Sequence, residues 1–186
     1  MKRLGILLVI LLALSGCAGN KTTDVDFSTL ITDEQAKVNV IYVDQEMTAQ
    51  EGFPQFVKYT LSDSDKLAKQ YAEFSEDYDE VTINAWIKVE VAKWPAMKES
   101  YASLLKELTA EIEKPANVAT NNYLFGLEIV KDGKTYNFEI FKGEGSNIVK
   151  ESTPDTKKYY AIDEAKTNEY IKIIEDYGMT FTSFGE

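Results

Sequence analysis

The sequence predicts an α+β fold, a mainly antiparallel sheet with two or three amphipathic helices packed on one face. Three observations lead there. Several segments alternate apolar and polar residues at period two, as strands with one covered face do. Asp132-Gly133 separates two of these segments, and Asp-Gly is a strong hairpin signal because both turn residues must take positive φ. Elsewhere apolar residues recur at helical spacing, which calls for helices with one face on a core.

The elements follow in chain order. Val38, Val40 and Tyr42 alternate within Lys37 to Asp44, with Ile41 and Val43 on the other side, and predict a strand covered partly on both faces. Asp44 to Pro54, with Gly52 and Pro54, reads as a turn region, and Gln55 to Leu61 as the next strand. Ser62 followed by Asp65 is the pattern of a capping box, and Leu67, Tyr71, Phe74 and Tyr78 form the helical stripe behind it. Val81 to Val91 reads as the clearest strand: Val81, Ile83, Ala85, Ile87, Val89 and Val91 make one apolar face, and Trp86 interrupts the polar one. A helix is expected from Pro95, with Met97, Tyr101, Leu104, Leu105, Leu108 and Ile112 on one face, ending at Lys114-Pro115. The hairpin strands are Tyr123 to Val130 and Thr135 to Phe141, followed by a polar loop over residues 143–147. Lys158 to Ile162 reads as a strand, Asp163 as a helix cap, and Tyr170, Ile173, Ile174 and Tyr177 as a stripe ending at Gly178. Met179 to Phe184 is the last expected strand.

The N-terminus differs from the rest. Lys2 and Arg3 precede an apolar run from Leu4 to Leu14, the order of a secretory signal, and the run is shorter than the roughly 20 residues that span a bilayer. Leu14-Ser15-Gly16-Cys17 resembles the lipobox of bacterial lipoproteins. The resemblance implies cleavage between Gly16 and Cys17 and a diacylglyceryl thioether on Cys17, so that the lipid bilayer is a partner through this residue. It covers the signal alone. The resulting division is a signal peptide over 1–16, a polar lipidated tether over 17–26, and one α+β extracytoplasmic domain over 27–186. Which membrane leaflet receives the lipid depends on whether the cell has one membrane or two.

Composition narrows the chemistry. The chain of 186 residues has 20 Lys+Arg, 31 Asp+Glu, no His and one Cys. Without His there is no imidazole base, no Ser-His or Cys-His nucleophile and no imidazole zinc site. Arg3 is the only arginine and would leave with the signal, so the domain has no guanidinium fork for phosphate. The net charge of −11 opposes a polyanion, and nucleic acid is not an expected partner.

Motif tests mostly fail. Gly133-Lys134-Thr135 lacks the upstream glycine of a phosphate loop, since position 128 is Glu. Ser103 and Lys106 match a Ser-x-x-Lys spacing but lie opposite the apolar stripe of their helix. Glu76, Asp77, Asp79 and Glu80 are candidate calcium ligands, an acidic turn being the favoured alternative. Trp86 is a candidate ligand surface, a position under a loop or helix being favoured. No cofactor other than the lipid on Cys17 is expected. Residues 58–74 and 158–174 share a strand, acidic cap and helix, which any capped joint would also show. The expected function is a non-catalytic binding or interaction module of the cell envelope. A His-free hydrolase using carboxylates on envelope glycan or peptide is the alternative.

Overall fold

The computed structural model describes residues 25–52, 55–72, 78–115, 118–119 and 122–182. The signal peptide, Gly16, Cys17 and most of the tether lie outside them, as do Phe74, Glu76 and Asp77. The described elements are α1 (Phe27–Thr32), β1 (Lys37–Asp44), α2 (Gln45–Glu51), β2 (Gln55–Thr60), α3 (Ser64–Ala72), α4 (Glu80–Glu107), β3 (Tyr123–Lys131), β4 (Lys134–Phe141), β5 (Asn147–Ser152), β6 (Lys157–Ile162) and α5 (Glu164–Thr182). The six strands form one sheet in the order β2-β1-β3-β4-β5-β6, antiparallel at every pairing. The fold is α+β, as the sequence predicts.

Alternation sorts the sheet into two faces. Val38 and Val40 pair with Ile129 and Leu127, and these with Tyr136 and Phe138. All six are buried in the core. Helices cover this face. Phe27 of α1 sets its ring edge-on against Tyr136 and Phe138, at centroid distances of 5.7 and 5.0 Å. Tyr101 of α4 packs against Phe125 and against Tyr170 of α5. The opposite face carries Asn39, Ile41, Lys58, Glu128, Asn137, Glu139 and Lys150 in matching register.

Residues 81–91 are helix rather than strand. They open α4, a helix of 28 residues, whose first N–H groups are met by Asp79: its carboxylate accepts from the Thr82 N–H at 2.8 Å. Ile83, Glu90, Trp94, Met97, Tyr101, Ala102, Leu104 and Leu105 are its buried residues, and Ile87 packs beside them. Their three-and-four spacing is the true periodicity. Val81 and Val89 of the supposed apolar face are 80 % and 55 % exposed. Pro95 therefore lies inside the helix instead of opening it. Lacking an N–H, it gives nothing to the Val91 carbonyl.

The far end of this helix also differs from expectation. It stops at Glu107, and the chain then runs along the sheet: Glu111 bridges Tyr160, and the Ile112 N–H donates to the Tyr159 carbonyl at 2.8 Å. These main-chain contacts cover the middle of the outer edge of β6. Within the expected turn at 44–54, Gln45–Glu51 forms α2, which Gly52 ends at φ 76°. Asp63, one residue past the expected Ser62, caps α3 by accepting from the Lys66 N–H at 3.0 Å, while Ser62 accepts from the Val38 N–H. Residues 179–182 continue α5 through Gly178, a glycine that a helix interior tolerates, and residues 183–184 lie outside the described residues. The Asp132-Gly133 hairpin is as predicted, with φ of 51° and 72°.

Candidate functional site

The uncovered face of the sheet is built by register, one bulge and one glycine. Pairing shifts between Tyr123 and Phe125 of β3. Phe125, Leu127 and Ile129 face the core at period two, and unbroken alternation would send Tyr123 there as well. The bulge sets Tyr123 opposite Phe141 and turns its ring to the uncovered face. There it lies over Gly126. A Cβ at position 126 would collide with the Tyr123 hydroxyl and come within 3.0 Å of the Phe138 carbonyl. Glycine in this strand thus marks a close approach.

Tyr123 anchors an aromatic cluster. Its ring meets Phe56 and Phe141 edge-on at 5.2 and 5.7 Å, and its hydroxyl donates to the Ile41 carbonyl at 3.2 Å. Burial, with the Glu139 carboxylate adding to it, pushes the Tyr123 phenol well above its ordinary range. It stays a neutral donor. Phe56 is 47 % exposed and offers its ring to solvent.

Charged pairs flank the rings. Glu128 accepts from Lys58 at 2.5 Å and from the Asn39 amide at 2.8 Å, and Lys150 pairs with Glu139 on the neighbouring strands. A cleft of about 580 Å³ runs across the three rings, Asn137 and the Lys150–Glu139 pair, with Val118 also on its wall. Ser152 lines it, and its buried Oγ has no hydrogen-bond partner among the described residues. Glu128 and Glu139 lie on adjacent strands offset by two residues, a relation that puts side chains roughly 7–8 Å apart. Each carboxylate is engaged by a lysine.

The residues singled out from sequence go elsewhere. Trp86 lies on α4, not on a wet sheet face; it is half-buried, with Tyr78 edge-on at 4.8 Å and Tyr71 at 6.1 Å. Asp79 is the α4 cap, and the hydrogen bond from the Thr82 N–H lowers its carboxyl below the ordinary value. Glu80 begins the helix and is exposed. Among the described residues no group of three or more Cys, Asp or Glu is placed to hold a metal ion. Ser103 is exposed and donates to the Glu99 carbonyl of its own helix, and Lys106 is exposed beyond it. Phe56, Tyr123 and Phe141 carried no motif. The one local signal for them was Gly126 inside an apolar strand.

No family model matches the chain, and no curated protein or solved structure matches it either.

Proposed function

We propose that the protein is a lipoprotein, held to a membrane on its extracytoplasmic side by a lipid on Cys17, whose domain over 27–186 is a non-catalytic binding module of the cell envelope. The uncovered sheet face supports this reading: an aromatic cluster and the Lys150–Glu139 pair in a cleft of about 580 Å³, with the Lys58–Glu128 pair on the same face. Such a face suits an extended polymer, a glycan strand above all. The exposed Phe56 ring can take an apolar ring face, and Asn137 with Lys150 and Glu139 offers donors and acceptors to hydroxyls. Lipidation fits the polar residues after Cys17, which would hold the domain off the bilayer. No helix among the described residues is long and apolar enough to cross a membrane.

Two measurements test it. Cys17→Ser should abolish fatty-acid labelling and release the protein from membranes; full retention would refute the anchor. The full-length protein in detergent should co-sediment with purified insoluble peptidoglycan, and Phe56→Ala should weaken that binding about five- to tenfold. The hydrolase reading rests on the neighbouring Glu128 and Glu139. Release of soluble fragments, lost in Glu139→Gln, would replace the binding reading with it.

A further inference from the structure

A second cleft, of about 720 Å³, opens on the helix-covered side where α1, the C-terminal end of α4 and the β5–β6 hairpin meet. Glu151 lines it. Asn147, Val149 and Glu151 are the covered-face positions of β5, so a carboxylate stands where a core side chain would. Its neighbour across the ladder is Phe138. Glu151 is 4 % exposed, and its one hydrogen bond is from the Tyr160 hydroxyl to Oε2 at 2.8 Å. Lys158 lies directly opposite in register, yet no ion pair joins the two among the described residues. Tyr160 is thus its one direct hydrogen-bond partner among the described residues. Oε1 remains available for a cation.

The cleft supplies the other half of a recognition pattern. Lys106, Lys134 and Lys158 line it, and Phe27, Tyr136 and Leu108 provide apolar walls. Asp26 lines it too, but both its oxygens are taken by Ser28 and Thr29 at the start of α1. Asp155, exposed on the β5–β6 turn, is the third acid of the lining. The buried carboxylate of the cleft is Glu151, and the cleft's positive charge comes from the three lysines. We infer that this cleft binds an α-amino acid with an apolar side chain, free or as the amino end of a short peptide. The ammonium sits on Glu151, the anionic end faces Lys158 and its neighbours, and the side chain lies against Phe27 and Tyr136. This site is independent of the uncovered face.

Calorimetric titration of the full-length protein in detergent tests it, with L-leucine, L-phenylalanine, N-acetyl-leucine and leucyl-glycine as probes. L-leucine or L-phenylalanine should bind. N-acetyl-leucine should bind at least about tenfold more weakly, because its nitrogen carries no charge. Glu151→Gln should lose at least about tenfold in affinity for the zwitterions while unfolding at the wild-type temperature, since Gln still accepts from Tyr160. Leucyl-glycine binding more tightly than leucine would assign the site to peptide ends, and the reverse to free amino acids. No binding by any of the amines, or equal binding by N-acetyl-leucine or by Glu151→Gln, would overturn the inference.

Discussion

Glu90 shows what one residue can do to a pattern. It is 1 % exposed inside α4, and its carboxylate accepts from the Tyr59 hydroxyl at 3.3 Å and from Lys93 at 3.4 Å. The same hydroxyl accepts from the Trp94 indole N–H at 3.3 Å, so Tyr59 links two buried polar groups. Burial, then the nearby Glu90 charge, lifts the Tyr59 phenol far above its usual value and keeps it protonated. Tyr59→Phe removes that link. It should cost about 1–3 kcal/mol in urea unfolding, since a buried donor and acceptor both lose a partner; an unchanged midpoint would show that water replaces it. Gly126→Ala has a different cause. The new Cβ displaces the Tyr123 ring, so stability should fall by about 1–3 kcal/mol and the aromatic cluster should break, read as a change in near-ultraviolet circular dichroism. Asp26 sets an acid limit. Hydrogen bonds from the Ser28 and Thr29 hydroxyls lower its carboxyl from 3.8 to about 2. A depressed folded value means the stabilisation is whole above about pH 4 and is lost as pH falls through 2. Asp26→Asn, which still caps, should flatten the fall in stability between pH 4 and 2; an unchanged slope would assign the loss to other carboxylates.

At the scale of elements, α4 explains the largest departure from the sequence reading. Period two and a three-and-four spacing both pass through Ile83 and Ile87. The helical stripe then needs Glu90, a charged residue that hydropathy counts as surface, whereas the strand reading needs Val89, which hydropathy counts as core. Asp79 beside Thr82 was the cap signal, concealed within an acidic run. The two readings differ in a measurable way. Val89→Ala should be neutral or stabilise by up to about 0.5 kcal/mol, because Ala is the better helix former at an exposed site. Ile83→Ala should cost about 2–5 kcal/mol. Equal losses at both positions would restore the strand. The strand β5 escaped notice for a related reason: two of its three covered-face residues, Asn147 and Glu151, are polar. By contrast β1, β2, the Asp132-Gly133 hairpin, β6 and the Asp163 cap were legible, because cap, turn and alternation agreed there. The similarity of 58–74 to 158–174 does not extend to environment. Tyr59 lies on the covered face and Tyr159 on the uncovered one.

For the whole molecule, the pairing of a covered and an uncovered face was predictable from alternation, but the location of the proposed binding surface was not. Within each strand period two puts Lys58, Glu128 and Asn137 off the core side, and the pairing register brings them together. It could not foresee the bulge that adds Tyr123 to them, because a bulge changes face without changing composition. Glu151 was equally hidden: one acid among 31 becomes distinctive only when burial is known. The proposed domain over 27–186 carries its own expectation. Full-length protein in detergent should unfold in urea in one cooperative transition by both fluorescence and far-ultraviolet circular dichroism. Two separated transitions would divide it.

The edges of the sheet are unequal. Beyond β6, Glu111 and Ile112 pair with the middle of the strand, at Tyr160 and Tyr159, and so interrupt that edge. Beyond β2 no strand follows among the described residues, and the ladder to β1 turns the backbone of Phe56, Lys58 and Thr60 outward, since the Leu61 N–H donates inward to Val38. A sheet whose one edge is interrupted in this way admits strand addition mainly at the other. Two copies joined through β2 would form a closed pair with a guarded edge at each end, so growth by strand addition halts at the dimer and cannot run on into a fibre.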